Sequence, residues 1–342
     1  MAANKRARAG KRRPVSVIFS RAPLRISLGG GGTDLPSYYC DHGGFLVSGA
    51  IDKYVYMLTH TVFQQRYRMK YSELEEVDEI SQIRHPILRE GLLRHWAGSP
   101  LEIASLADVP AGTGMGSSGA YTVCLIKSLV RARCSSISPG DLAEAACDIE
   151  MGVLGEPVGK QDPYVAAHGG ICTYTFHPNG HVEVAPLELS PTVLRQLRDR
   201  LLLFYTGDAR SASKMLADQD ARSKAGDTEM IDNLHRIKDL GHRICALLSS
   251  GDLDAYAELM HEHWEHKRAR SPGMANERID TLYTLARRSG AIGGKLVGAG
   301  GGGFLLVYAR RPEDTRQAMA AAHAPELAFD FEFGGAYASE YA

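Results

Sequence analysis

Long apolar runs are missing from this chain of 342 residues. None approaches the roughly 18 residues a membrane-crossing helix needs, so a helical membrane span is excluded. Net charge is nearly absent as well, at −1, and a dedicated nucleic-acid binder would need a broad basic face instead. Cysteine is scarce: Cys40, Cys124, Cys134, Cys147, Cys172 and Cys245, with no Cys-x-x-Cys pair. That spacing gives no zinc site, thioredoxin motif or disulfide framework. Cys124 and Cys147 lie in apolar helical stretches and read as small core residues. The N-terminus is basic (Lys5, Arg6, Arg8, Lys11, Arg12, Arg13), but only Val15 to Phe19 follows as an apolar stretch before Arg21. This is too short for the core of a secretory signal. Residues 1–14 therefore read as a disordered, solvated basic tail, with an anionic-surface arm as the alternative, and the expected location is the cytoplasm.

What is present is an ordinary globular composition, 44% hydrophobic and 23% charged, enough to bury a core in about two domains. Residues 15–20 alternate as a first strand, 45–63 read as two strands, 85–96 as a helix and 101–109 as a strand. Helices are expected over 118–133, apolar nearly all round, and over 141–151. Strands follow at 171–176, 182–187 and 201–205, then several helices to about 289, strands near 291–297 and 303–309, a helix, and a last strand at 328–333. Strands and helices mix without regular alternation, which favours an α+β fold over a doubly wound sheet. Pro186 and Pro191 put the domain boundary near 190, giving 15–190 and 191–342.

Glycine carries the strongest signal. The segment Pro110-Ala-Gly-Thr-Gly-Met-Gly-Ser-Ser-Gly119 lies between a predicted strand and a predicted buried helix. Gly112, Gly114, Gly116 and Gly119 let backbone N–H groups approach an anion, the helix adds its positive end, and Ser117 and Ser118 add hydroxyls. Residues 114–119 also match the dinucleotide fingerprint G-x-G-x-x-G. That reading needs a second strand ending in an acid soon after the helix, and here another helix follows. No Gly-Lys-Ser/Thr closes the loop, so it is not a Walker A loop either. A phosphate cradle of another kind remains, alongside a ligand-free glycine turn. Two further clusters, residues 29–32 and 298–303, suggest backbone packed closely around a ligand or around another glycine loop.

Two acids stand out. On a helix over 141–151, Glu144 and Asp148 lie opposite the apolar face, but Glu150 falls at the edge of the buried face. A carboxylate there has a partner, either a salt bridge or a Mg²⁺ ion, which takes one or two protein oxygens in kinases. Asp162, followed by Pro163, reads locally as a helix N-cap. His261, His263 and His266 suggest a metal cluster at first sight, but only His263 and His266 share a helix face, so a metal site is not expected.

Three separated segments resemble the GHMP small-molecule kinases: Arg21-Ala-Pro-Leu-Arg-Ile-Ser-Leu-Gly-Gly-Gly-Gly-Thr-Asp34, the 110–119 loop, and Lys295-Leu-Val-Gly-Ala-Gly-Gly-Gly-Gly303. Within that family the chain is most similar to the heptose 7-phosphate kinases, through the four-glycine first motif, Gly159-Lys-Gln-Asp162, residues 206–213 and Gly293-Gly-Lys-Leu296. Gly31 and Gly32 stand where galactokinases carry Glu and His. The resemblance implies an N-terminal domain of the ribosomal-protein-S5-domain-2 type and a C-terminal ferredoxin-like domain. It implies ATP on the 110–119 loop (Pro110, Gly112, Gly114, Met115, Gly116, Ser117, Ser118, Gly119), Mg²⁺ on Ser118 and Glu150, and catalysis by Asp162 with Arg25. It also implies sugar hydroxyls bound at Asp34, with Gly31, Gly32 and Thr33 beside it.

The expected reaction is phosphorylation of the anomeric hydroxyl of a heptose 7-phosphate. Another sugar-1-kinase, fucose-like, is the runner-up, and a non-catalytic ATP and sugar sensor is a different class. Arg210, Ser211 and Ser213, where a strand enters a helix, are candidates for the sugar's own phosphate, with an N-capped surface helix as the alternative. Lys160 is a second candidate. The expected partners are a small phosphosugar, no nucleic acid and no membrane, in a monomer or homodimer.

Overall fold

The computed structural model describes residues 16–207, 212–271 and 273–341. The basic tail expected at 1–14 lies outside them. The first half runs β1 (Val17–Gly29), α1 (Pro36–His42), β2 (Gly44–Thr61), β3 (Tyr67–Lys70), β4 (Leu74–Val77), α2 (Pro86–His95), β5 (Leu101–Ala107), α3 (Ser117–Ala132), α4 (Pro139–Cys147), α5 (Gln161–His168), β6 (Ile171–Phe176) and β7 (Val182–Pro186). The second runs α6 (Pro191–Arg200), β8 (Leu201–Tyr205), α7 (Ala212–Lys224), α8 (Thr228–Ser250), α9 (Leu253–Arg268), α10 (Glu277–Arg288), β9 (Ala291–Leu296), β10 (Phe304–Ala309), α11 (Pro312–Ala321) and β11 (Tyr337–Tyr341).

The larger sheet has eight strands in the order β11-β1-β2-β5-β3-β4, with β6 and β7 continuing from the other end of β2. Two expected boundaries give way here. Residues 45–63 form one strand rather than two, because β2 pairs with β1 along nearly its whole length and divides its opposite edge between β5 and β6. The first strand does not stop at residue 20. It continues through Arg25 to Gly29, since β2 supplies partners for all of it. Buried β-branched and aliphatic residues make that pairing favourable. On one face lies α3, whose Val123, Cys124, Leu125, Ile126 and Leu129 are fully buried. Its apolar circumference fits a helix enclosed by β1, β2, α2, α4 and α5.

The smaller sheet is antiparallel, β8-β10-β9. Residues 325–327 add beside β8 through a bridge between Phe204 and Glu326 and an N–H of Leu327 donating to Leu203 O. The resulting order 4-1-3-2 is that of a ferredoxin-like unit, with α10 and α11 packed together on it. The chain then leaves this unit. Phe331 bridges to Ile51 and β11 pairs with β1 in the larger sheet. The C-terminal segment thus belongs structurally to the first sheet, and the strand expected at 328–333 is realised later, at β11. Residue 190, the expected boundary, directly precedes α6 and β8, while β11 lies in the larger sheet.

One continuous apolar core runs through both units, from Leu24 and Ile26 of β1 to Ile244 of α8 and Tyr256 of α9. A second cluster around Trp264, Ile279 and Leu305 fills the far side of the small sheet. The long α8 crosses β1 and β2 so closely that a Cβ at Gly241 would lie 3.0 Å from Gly30 Cα. This contact fixes the two units against each other and leaves a cleft between α3 and α9. Among the described residues no helix is long and apolar enough to cross a membrane.

Candidate active site

A cavity of about 600 Å³ opens at the seam between the units. It is lined by residues of all three glycine motifs, including Arg25, Gly31, Asp34, Gly114, Ser118 and Gly298. The 110–119 loop forms one wall. Gly116 caps α3 in the left-handed conformation, φ +77°, which glycine adopts without cost. The first N–H groups of α3 thereby face the cavity with no side-chain cap. The loop also touches the third motif: a Cβ on Gly298 would lie 2.4 Å from Gly114 Cα. Glycine at 298 is therefore a condition for the two loops to meet.

Arg25 is almost fully buried. Its Nε donates to Asp162 Oδ1 at 2.8 Å, its Nη2 stands 2.7 Å from the same oxygen, and its Nη1 donates to Gly114 O at 2.5 Å. One guanidinium thus ties the second glycine loop to Asp162. Asp162 is not an N-cap: Lys160 holds that position, and Asp162 lies in the first turn of α5. Its side chain remains 32% exposed, so its second oxygen can be reached from the cavity.

Glu150 sits on a π-helical turn, Asp148–Val153, that follows α4 instead of on a continued α-helix. The wider turn, with Leu154 N donating to Ile149 O, turns Glu150 fully inward. Ser118 Oγ donates to its Oε2 at 3.2 Å, and Thr122 donates to its Oε1. Burial, with Asp162 nearby, pushes its pKa up to about 7. Among the described residues no lysine or arginine pairs with it, and its partners are the two hydroxyls instead of a salt bridge. A carboxylate and a hydroxyl are hard oxygen donors of the kind Mg²⁺ takes, and the residues fit that ion. No group of three or more His, Cys, Asp or Glu side chains among the described residues is arranged to hold a metal by itself.

Asp34 lines the opposite wall. Gly32 N and Gln161 N donate to its two oxygens, each at 3.1 Å. Burial first, then Asp162, raises its pKa. Gly31 and Gly32 line the cavity beside it. Thr33 does not: its hydroxyl lies 2.9 Å from both Gly30 O and Phe45 O, sharing one proton between them, and accepts from Phe45 N, so it braces the loop. Met115 is buried in the core and offers only its carbonyl, to Arg25 N. Pro110 and Gly119 border the loop without lining the cavity; Gly119 packs on Pro163. Lys160 points elsewhere. Its Nζ donates to Glu144 at 2.7 Å and to Gly180 O at 2.7 Å, which removes it as a phosphate ligand. Arg210 and Ser211, and the side chain of Ser213, lie outside the described residues.

Sequence reasoning missed two parts of this cavity. One is its apolar end, formed by Val55, Ala107, Val109, Ile87 and Tyr121, where His85 stacks on Tyr121 with centroids 5.1 Å apart. The other is a set of buried basic side chains, Lys267 and Arg270 near the end of α9 and Lys295 on β9, with His263 among them. Lys295 is 2% exposed, and its Nζ has one neutral neighbour, Ser27 Oγ, at 3.4 Å. Burial, reinforced by Arg25 and Arg270, lowers its pKa to about 7 from 10.5.

That shift has a sign in stability. Between about pH 7 and 10.5 the unfolded lysine keeps its proton and the folded one sheds it, so the ligand-free protein gains stability as pH rises through this window. Lys295→Met is expected to flatten that rise, measured as Tm against pH. Parallel profiles for the two proteins would refute it.

The sequence profile described as "GHMP kinases N terminal domain" matches residues 87–170, and "GHMP kinases C terminal" matches 231–325. The chain is 28% identical over 312 residues to D-glycero-alpha-D-manno-heptose 7-phosphate kinase of Campylobacter jejuni, covering 86% of this chain and 90% of that protein. It is 26% identical over 318 residues to the bifunctional fucokinase/GDP-fucose pyrophosphorylase of Arabidopsis thaliana, covering 86% of this chain and 30% of that longer protein. In fold it is similar to the crystal structure of a D-glycero-D-manno-heptose 1-phosphate kinase from Bacteroides thetaiotaomicron, with TM-score 0.78, 24% identity and coverage of 95% and 99%. The Lactococcus lactis galactokinase crystallised with galactose superposes with TM-score 0.71 at 16% identity, covering 95% of each chain. With both halves matched in chain order and the phosphate loop at their seam, the chain belongs to the GHMP kinases, ATP-dependent phosphotransferases that act on alcohol acceptors.

Proposed function

We propose that this protein transfers the γ-phosphoryl group of ATP to the anomeric hydroxyl of D-glycero-α-D-manno-heptose 7-phosphate, giving the 1,7-bisphosphate. The kinase part of the reading rests on one observation: Arg25 holds Asp162 beside the phosphate loop, at 2.7–2.8 Å. The sugar is supported by similarity to the Campylobacter jejuni enzyme along nearly its whole length. The matched mevalonate kinases share only 61–75% of this chain.

In this reading ATP lies with its base among Val55, Val109 and Tyr121 and its phosphates on Gly112, Gly114, Gly116 and the N-terminus of α3. Ser118 and Glu150 would hold Mg²⁺, which when bound neutralises charge on the β- and γ-phosphates. Asp162 orients the acceptor hydroxyl with its exposed oxygen and takes its proton as the phosphoryl group transfers. Arg25 holds that carboxylate in place through its Nε and Nη2. Asp34, with Gly31 and Gly32, borders the acceptor. The transition state is largely dissociative, so fixed charges and positioning do most of the work.

A fucose-like sugar-1-kinase is the second reading, favoured by the two fucokinase relatives. A panel of sugars and sugar phosphates, with ³¹P NMR of the product, separates them. Anomeric phosphorylation of the heptose 7-phosphate is expected. A product phosphorylated at any other carbon, or preferred turnover of fucose, would overturn the proposal. ATP and sugar binding without formation of ADP would show a sensor.

A further inference from the structure

The buried basic side chains described above have no carboxylate partner within ion-pair distance among the described residues. Arg270 Nε donates to Asn233 Oδ1 at 3.0 Å and its Nη1 to Gln219 Oε1 at 2.8 Å, while its Nη2 has no hydrogen-bond partner. Lys267 Nζ donates only to the carbonyls of Leu296 and Gly298. Neither ring nitrogen of His263 has a partner, although the residue is 1% exposed. Asn, Gln and backbone carbonyls orient these groups without neutralising them. An uncompensated buried charge is costly, and keeping the Arg270 guanidinium at one end of the cavity, with three more basic side chains that an anion would favour in their protonated forms, implies an anion that arrives with the ligand.

The γ-phosphate of ATP accounts for part of this field but not for Arg270. Lys267 is tied to Gly298, which touches Gly114, and so borders the phosphate loop. Arg270 stands on the acceptor wall. Its guanidinium lies against Gly32, where a Cβ would come within 2.6 Å of Nη1. Gln219, its partner, donates to Gly32 O at 2.7 Å. Asp34 is the acid that acts on it electrostatically. Lys295 also faces this side, through Ser27, which lies under Gly31.

We propose that Arg270, with Lys295 and His263 beside it, binds the phosphate that the acceptor already carries. The site selects a phosphomonoester of a polyol or sugar over the free sugar. A guanidinium fork held by Asn233 and Gln219, with one nitrogen free, matches a phosphate oxygen. A neutral acceptor would leave the Arg270 charge buried and unpaired. The inference rests on the kinase reading above and deepens it, assigning the phosphate to the α9 end and β9.

The test compares KM values of the wild type and Arg270→Gln for ATP, for whichever phosphosugar the enzyme turns over fastest, and for the same sugar without its phosphate. Arg270→Gln is expected to raise the KM for the phosphosugar about 10- to 100-fold, with the KM for ATP and for the free sugar within about twofold. Arg270→Lys, which keeps the charge and loses the fork, is expected to fall between and guards against loss of folding. An equal rise for both acceptors would mark Arg270 as structural and overturn the inference. Unchanged kinetics would overturn it too. A phosphosugar other than the heptose as best substrate refutes the heptose reading and leaves this site standing. A wild type that prefers the free sugar refutes both.

Discussion

Asp162→Asn is expected to lower kcat by about 10²–10⁴-fold while the KM for ATP changes little, the range that a positioned acid or base contributes. The asparagine keeps the size of the side chain and can still accept from Arg25, so folding is not the variable. What disappears is the negative charge at the acceptor hydroxyl. Arg25 then loses its charged partner at 2.7 Å and keeps its bond to Gly114 O, which holds the loop. The measurement is steady-state turnover with both substrates varied, beside ATP binding measured directly. A kcat within threefold of wild type would remove Asp162 from the chemistry.

Glu150→Gln is expected to weaken the apparent Mg²⁺ affinity by at least about 10- to 100-fold, a range that even loss of an outer-shell partner reaches. The amide retains the shape that Ser118 and Thr122 address and loses the charge a divalent ion needs. The check is kcat/KM titrated against free Mg²⁺ at saturating ATP. Excess Mg²⁺ should recover part of the activity, which a folding defect would not allow. A Mg²⁺ profile identical to wild type would show that Glu150 serves only as the buried acceptor of two hydroxyls.

Much of this site was legible because glycine and proline have few uses. Three glycine motifs, each next to a strand, forecast backbone packed on backbone, and the Gly114–Gly298 contact is that packing. The 118–133 helix was legible because its apolar residues leave no solvent face, and α3 follows within a residue at either end. Two strands were expected in 45–63 and one formed, because strand length is set by the neighbours that supply hydrogen bonds, β1 on one edge and β5 and β6 on the other. Glu150 was singled out by helical phase, but the π-helical turn that aims it breaks that phase. Lys160 stood beside Asp162 in sequence, yet Glu144 and Gly180 draw its ammonium away.

The buried basic side chains had a faint signal. His263 and Lys267 are one helical turn apart on the face of α9 that also buries Met260 and Trp264, and charge on a buried face is out of place. Arg270, beyond the end of that helix, had none.

By itself the sequence determined the composition class, the glycine-rich loops and their order, because those rest on residue types whose backbone behaviour is local, and the resemblance of the three motifs to the GHMP kinases pointed to the kind of enzyme. The tertiary structure alone decided which side chains share the cavity. It returned β11 to the first sheet, turned Thr33 and Lys160 into braces, and brought Arg25, Asp162, Lys295 and Arg270 together from four distant segments. The physical reason is that charge is placed by burial and by its neighbours in space. An arginine in a sequence is a surface residue until the fold encloses it, and only the enclosed one requires an anion.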